Sequence, residues 1–421
     1  MIRFVDLFAG IGGLRLGFEQ ACQALGMPCE CICTSEIKKH AIKVYKQNFR
    51  VDNEPVDVTK IENLPQFDYL LAGFPCQPFS SAGKQLGFED TRGTLFFEIA
   101  RILKCSRPKG FILENVEGLI THDSGNTLRT ILSVLTGMGY KTTYKVLDSQ
   151  LFGVPQRRKR IYIVGTLSGD VSLEFEPENR VKLGDVLEDN LPVESNEFIT
   201  NVLSRYSKAE LIGKHFTDKR GGDNNIHSWD IELRGTASKK EKELLNLILL
   251  KRRNRSIVKN YPVTWKDGMP LTKEMIRSFY NDSDLDTMLS HLMTLGYLRK
   301  EPIKLTNTGS SNAVIDGYNL TTGTLSFSIS KILDAESICP TLVATDMNRL
   351  YVSQGDGLRK LSLREGLRLN GYPDDFKFEG VTLKEGYDLI GNTVVVPVIY
   401  RVASRLLRAT EVDRYRNERF K

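Results

Sequence analysis

Cys76 stands between two prolines in Gly73-Phe74-Pro75-Cys76-Gln77-Pro78-Phe79-Ser80-Ser81-Ala82-Gly83-Lys84-Gln85, directly after the strand-like run Tyr69-Leu70-Leu71-Ala72. A structural cysteine belongs inside an apolar periodic segment. This one leaves a strand end into Pro, Ser, Gly and Lys, where backbone is exposed, so the pattern predicts a nucleophilic thiol on a stiff loop. Glu114 ends the apolar run Phe111-Ile112-Leu113. An acid at the carboxyl end of a buried parallel strand lies at the crevice where α/β sheets bind ligands. The third group is basic: in Arg157-Arg158-Lys159-Arg160, which feeds the strand-like Ile161 to Gly165, Arg158 and Arg160 share one face and can reach a carbonyl or a phosphate. A thiol, an acid and a guanidinium suit covalent catalysis with electrostatic stabilisation. The competing readings are a packing cysteine, a turn-capping acid and a solvated basic edge.

Such groups need a sheet to hold them. Ile2 to Leu7 reads as a short strand, Phe8-Ala9-Gly10-Ile11-Gly12-Gly13 as a tight glycine turn, and the residues after it as a helix with Leu14, Leu16, Phe18 and Ala21. That is a nucleotide-binding opening, although the dinucleotide pattern would need glycine where Arg15 stands. Glu36 ends a second strand, Cys31 to Ser35, where a carboxylate can accept from both hydroxyls of a ribose. Asp57-Val58 ends a third segment, and Asp57 alone reads as a solvated loop charge. Residues 92–102 form a helix with Leu95, Ile99 and Ile102 on one side.

A chain of 421 residues with 41% hydrophobic content suggests two domains. The net charge of +6 is compatible with a polyanionic partner. No signal peptide and no run near the ~20 residues of a membrane span is evident, so an intracellular, reducing setting is expected. Seven cysteines without metal-ligand spacing predict no metal site, and Cys29, Cys31 and Cys33 alternate as one face of a strand. From about 171 to 338 the strand–helix alternation stops. Within that stretch Ser238-Lys239-Lys240-Glu241 is a capping box opening a helix with Leu244, Leu245, Ile248 and Leu249. Two more short helices, then Tyr297-Leu298 and Ile303-Lys304-Leu305, suggest a winged-helix-like insert near 238–306 or a plain helical subdomain. Lys251, Arg252, Arg253 and Arg255 there fit phosphate contacts or a solvated helix end.

With Cys339-Pro340-Thr341-Leu342, Arg368-Leu369-Asn370-Gly371-Tyr372-Pro373 and Leu389-Ile390-Gly391-Asn392-Thr393-Val394, these blocks in this order resemble the bacterial-type DNA (cytosine-5)-methyltransferases over nearly the whole chain. Asn370 departs from the family's usual Gln. The resemblance implies an α/β fold: a Rossmann-like S-adenosylmethionine-dependent methyltransferase domain, 1–178 with 385–421, around a target-recognition domain, 179–384. It implies Cys76 as nucleophile toward carbon 6 of a flipped cytosine, Glu114 at ring N3 and Arg158 at O2, with Arg160 bracing the loop or binding a phosphate. Phe8, Gly10, Glu36, Asp57, Val58, Leu95 and Asn392 would line the S-adenosylmethionine pocket together with Gly12, and Ser80 and Lys84 would contact DNA. A monomer acting on double-stranded DNA in the bacterial cytoplasm, at the nucleoid and away from membranes, is expected, with a separately acting restriction endonuclease as its partner. An RNA (tRNA) cytosine-5 methyltransferase of the same fold is the alternative.

Overall fold

The computed structural model describes residues 1–51, 54–75, 95–305, 314–322 and 327–419, the last nine of these by backbone alone. They form two compact units, 1–189 with 334–348 and 361–421, and 190–333 with 349–360.

The first unit opens with β1 (Ile2–Leu7), α1 (Gly13–Ala24), β2 (Cys29–Ser35), α2 (Lys39–Asn48), β3 (Tyr69–Gly73), α3 (Leu95–Ser106), β4 (Gly110–Val116), α4 (Asn126–Gly137), β5 (Lys141–Asp148) and β6 (Lys159–Thr166). The sheet order is β2-β1-β3-β4-β6-β5, parallel from β2 through β4, with β6 antiparallel to both neighbours. Alternation along the strands builds a core on each face. Phe4, Tyr69, Leu71, Ile112, Tyr162 and Val164 point to one core, and Val5, Leu70, Ala72, Phe111, Leu113, Ile161 and Ile163 to the other.

The expected single face of Cys29, Cys31 and Cys33 is not what forms. Phe4 pairs with Cys31 and Val5 with Cys33, so Ile32 is an extra residue in the ladder. That bulge turns Cys33 to the second core while Cys29 and Cys31 stay with the first.

The second unit contains α5 (Glu197–Arg205), α6 (Lys208–Leu211), β7 (His215–Phe216), β8 (Asn225–Ile226), α7 (Lys239–Lys251), α8 (Lys273–Arg277), α9 (Leu285–Thr294), β9 (Leu298–Lys304), β10 (Val314–Leu320), β11 (Lys331–Ile332), β12 (Leu350–Gln354) and β13 (Gly357–Lys360). The Ser238 hydroxyl accepts from the Glu241 N–H and the Glu241 carboxylate from the Ser238 N–H, so the capping box forms at the start of α7. Helices α7 to α9 and the antiparallel pair β9–β10 enclose a core of Leu244, Leu245, Ile248, Met275, Leu289 and Leu298. Three helices followed by a two-stranded ribbon are the order of a winged helix.

The chain rejoins the first unit earlier than residue 385. The last helices there are α10 (Leu363–Leu369), α11 (Leu383–Asn392) and α12 (Val396–Arg419). Residues 361–384 belong to this unit because their polar groups are satisfied in it. Asn370 is fully buried, accepts from Gln156 Nε2 at 3.1 Å, donates to the Gly366 carbonyl at 2.9 Å, and lends its own carbonyl to the Val396 N–H at 2.9 Å. Residues 383–410 pass for a membrane span by length and hydropathy, yet 67% of the most apolar window is buried. Val398, Ile399, Val402, Leu406 and Leu407 of α12 lie in the core that α1 shares, which makes it a core helix.

Candidate active site

The chain crosses from β1 out to β2 and back to β3, so β1 and β3 are neighbours whose connections leave in opposite directions. A crevice opens at such a switch point. Residues just past β1, at the ends of β3 and β4, and at the end of α11 surround a cavity of about 320 Å³ there; Phe8, Gly10, Glu36, Pro75, Glu114 and Asn392 are among its walls.

The glycine turn forms the floor. Phe8 has φ 56°, a strained value for an aromatic residue, and Gly10 and Gly12 follow at 55° and 88°. A Cβ on Gly10 would meet no atom within 4 Å, so the turn opens onto free space. Glu36 is oriented by backbone: one oxygen accepts from Gly10 N–H at 2.8 Å, and the other from Ile37 and Lys38 N–H at 2.7 and 2.8 Å. Asn392 donates to the Asp388 carbonyl and carboxylate, both at 2.9 Å. The same carboxylate takes Lys38 Nζ at 2.8 Å, tying the loop after β2 to α11.

Of the residues expected around a cofactor, Phe8, Gly10, Glu36 and Asn392 line this cavity; Gly12 lies in the turn beneath, while Asp57, Val58 and Leu95 are not among its walls. Asp57 instead caps a short 3-10 turn, accepting from Thr59 N–H at 3.0 Å and Thr59 Oγ1 at 2.9 Å, and these bonds hold its carboxyl below the usual range. Val58 is buried in the second core.

Glu114 and Arg160 meet through sheet geometry. Glu114 follows Ile112 on one face of β4, and Arg160 precedes Tyr162 on the same face of β6. Val116 pairs with Arg160 and Glu114 with Tyr162, so acid and arginine are diagonal neighbours, and Arg160 Nε stands 3.2 Å from Glu114 Oε1. Burial raises the Glu114 carboxyl pKa, while Arg160 and then Arg158 pull it back. The group is thus biased toward its neutral acid in a polar setting.

Arg158 also lines the cavity, and the carbonyls it reaches are those of the backbone. It is 3% exposed, and its fork is taken by backbone: Nη1 donates to the Leu342 carbonyl at 2.8 Å, Nη2 to those of Gly391 and Thr393 at 3.2 and 2.6 Å. Its Nε is buried without a partner among the described residues. Burial and the nearby Arg160 lower its pKa to about 10, which leaves it cationic at neutral pH. Alternation along an extended strand put both arginines on one face, but Arg158 precedes β6 and clamps two returning segments, one at Leu342 and one at Gly391 to Thr393.

Sequence reasoning passed over Asn115. It is buried, lines the cavity, and donates from Nδ2 to the Phe74 carbonyl at 2.9 Å, holding the residue before Pro75. Its place beside Glu114 was the available signal. Cys76, Ser80 and Lys84 lie outside the described residues; Pro75, which directly precedes Cys76, lines the cavity with Glu114 and Arg160. Among the described residues no cluster of metal-ligating side chains occurs.

A family model described as C-5 cytosine-specific DNA methylase matches residues 2–408. The chain is 51% identical over 418 residues to the type II methyltransferase M.NlaIV of Neisseria lactamica, covering 96% of this chain and 99% of that one. It is 42% identical over 432 residues to the type II methyltransferase M.BanI of Aneurinibacillus aneurinilyticus, covering 97% and 96%. The solved structure of S. pombe Dnmt2 methyltransferase covers 97% of this chain and 99% of its own at TM-score 0.53 and 17% identity, a likeness of fold alone.

Proposed function

We propose a division of labour in this cavity on one premise: the chain belongs to the C-5 cytosine-specific DNA methylase family and is a DNA (cytosine-5)-methyltransferase. Carbon 5 of cytosine is a weak nucleophile within an aromatic ring. Addition of the Cys76 thiolate at carbon 6 forms an Sγ–C6 bond and places electron density on carbon 5, which then accepts the methyl group. Loss of the carbon 5 proton and elimination of the thiolate restore the ring. Glu114 protonates N3 as the thiolate adds and takes that proton back as the thiolate leaves, and its raised pKa favours the acid form that the first step requires. Arg160 assumes the cationic role at O2 that the resemblance had assigned to Arg158, because its guanidinium stands beside Glu114 while the fork of Arg158 is committed to carbonyls.

S-adenosylmethionine, when bound, supplies the methyl group. The cavity fits it by chemistry: an open glycine turn at Gly10, an oriented carboxylate at Glu36 for ribose hydroxyls, and the apolar Phe8.

None of the reacting atoms is accessible inside a duplex, so the cytosine is flipped out at a cost of a few kcal/mol, with Ser80 and Lys84 on the Cys76 loop holding the backbone. The second unit reads the target sequence. In this reading the enzyme is a monomer that works in the cytoplasm, on the nucleoid; the type II methyltransferase names of M.NlaIV and M.BanI favour a role in protecting DNA from a separately acting restriction endonuclease. The observation that carries this reading is the pair of a buried Glu114 and a half-buried Arg160 in a cavity that Pro75 also lines. Base-resolution mapping of 5-methylcytosine after incubation with unmethylated DNA and S-adenosylmethionine tests it. Marks at one short sequence are expected, and marks absent from DNA treated with folded protein would sink it.

A further inference from the structure

The reading of the second unit as a DNA reader leaves open which of its groups take the phosphates. Between β7 and β8 the chain runs Thr217-Asp218-Lys219-Arg220-Gly221-Gly222-Asp223-Asn224 beside a cavity of about 560 Å³, whose walls include Thr217, Lys219, Arg220, Asn225, Ser330 and Arg349. On paper Asp218 and Asp223 would neutralise the two cations between them. Asp218 also lines this cavity, but its carboxylate is engaged by groups other than the two cations. Its carboxylate is buried, accepts from Ser228 N–H at 2.8 Å and lies 3.8 Å from His227 Nδ1.

The loop is also held in one shape. Thr217 N–H donates to the Ile226 carbonyl at 3.0 Å, Lys219 N–H to Thr217 Oγ1 at 3.1 Å, Asn225 Nδ2 to the Gly221 carbonyl at 2.9 Å, and Lys214 Nζ to the Asp223 carbonyl. Lys219 and Arg220 stand exposed on this scaffold, and neither side chain has an ion-pair or hydrogen-bond partner among the described residues. Several cations of the same unit are engaged, among them Lys240 with Asp282, Lys242 with Glu232 and Lys273 with Asp286. A third cation, Arg349, lines the same cavity with Nε fixed on the Phe327 carbonyl at 2.9 Å. Gly221 and Gly222 add no side chain that would keep an anion from the backbone.

We propose that this pocket is a phosphodiester anchor, in which Lys219 and Arg220 grip the backbone of the duplex that the enzyme modifies. The proposal rests on the DNA methyltransferase reading, since a polyanion is the ligand for which unpaired cations on a fixed loop give the largest return. Duplex DNA carries one charge per ~1.7 Å, and each neutralised phosphate steepens the salt dependence of binding by about 0.9.

The test compares wild type with the double variant Lys219→Ala/Arg220→Ala, binding a duplex with the mapped target sequence and an unrelated duplex from about 50 to 200 mM salt. The slope of log affinity against log salt is expected to shrink by about 1.8, with both duplexes weakened alike and the mapped sequence unchanged. Lys219→Arg/Arg220→Lys, which keeps both charges, should restore the slope. An unchanged slope overturns the anchor, and so does selective loss of the target duplex at constant slope, which would make these residues base readers. A wild-type protein with the steep, variant-sensitive slope but no methyl transfer would support the anchor while sinking the catalytic reading.

Discussion

Arg160 Nε lies 3.2 Å from Glu114 Oε1, one diagonal step across the antiparallel β4–β6 pair, whereas Arg158, two residues earlier, gives its fork to three backbone carbonyls. The two arginines should therefore fail differently. Arg160→Ala is expected to lower turnover by about 10²–10³-fold, the scale for removing one donor to a developing charge, with little loss of stability. Arg158→Ala strands buried carbonyls at roughly 1–3 kcal/mol each and should lower the melting temperature by many degrees. Arg158→Lys cannot reproduce the fork and should rescue only part of that loss. Thermal melts beside single-turnover rates decide the matter, and a stable but inactive Arg158→Ala would reverse the assignment.

Glu114 gives a prediction about pH. Burial raises its pKa against the pull of Arg160 and Arg158. The proposed step at N3 uses the acid form, so that form should be lost, and the rate fall, as pH rises through the raised pKa. Glu114→Gln should cost about 10²–10⁴-fold in methyl transfer. Its residual rate should also lose the alkaline limb. Rate–pH profiles of both proteins check this, and an alkaline limb persisting unchanged in the variant would remove Glu114 from the step.

The glycine turn after β1, the acid at the end of β4 and the helices of the second unit were legible because each is a local pattern: glycine spacing, strand polarity, a capping box. What was not legible depends on partners distant in sequence. Nothing around Arg158 announces Leu342, Gly391 and Thr393, and no motif at Asp57 distinguishes a pocket residue from a turn cap. The bulge at Ile32 that turns Cys33 away is set by pairing with β1, not by the composition of β2. The return to the first unit at 334 and 361 follows from hydrogen bonds of Asn370 and Gln156 that no composition shift signals.

Asp6 supplies a stability test independent of catalysis. It is fully buried in β1 and takes the Tyr45 hydroxyl at 3.2 Å on Oδ2, and its Oδ1 has no partner among the described residues. Burial pushes its pKa up to about 7, against the lowering effects of Arg15 and Tyr45. A raised folded pKa means that the native state holds the proton more tightly than the unfolded chain. The resulting stabilisation is complete below the ordinary carboxylate range and is lost as pH rises through about 7. Its size is at most about 4 kcal/mol. Wild type should melt higher at mildly acidic than at mildly alkaline pH, and Asp6→Asn should narrow that gap. An equal gap in both proteins would mean that Asp6 is ionised throughout.

Helix α12 reaches the sheet only because α1 leaves room for it. A Cβ built on Gly17 would stand 2.6 Å from Ile399 Cβ and 2.9 Å from the Val396 carbonyl, and the latter is backbone that cannot rotate away. Gly17→Ala adds a single methyl, and in a helix interior alanine is intrinsically favoured over glycine by about 1 kcal/mol. Were propensity decisive, the variant would be more stable. Overpacking typically costs about 1–3 kcal/mol, and contact with both a β-branched side chain and a carbonyl places this site at the upper end. A net loss of about 1–2 kcal/mol is therefore expected. Because the turn before α12 carries Thr393, whose carbonyl Arg158 holds, and Asn392 lines the cavity, displacement of α12 should also weaken S-adenosylmethionine binding. Denaturant melts and cofactor titration of Gly17→Ala would show both effects; a variant as stable as wild type would mean that the two helices part without cost.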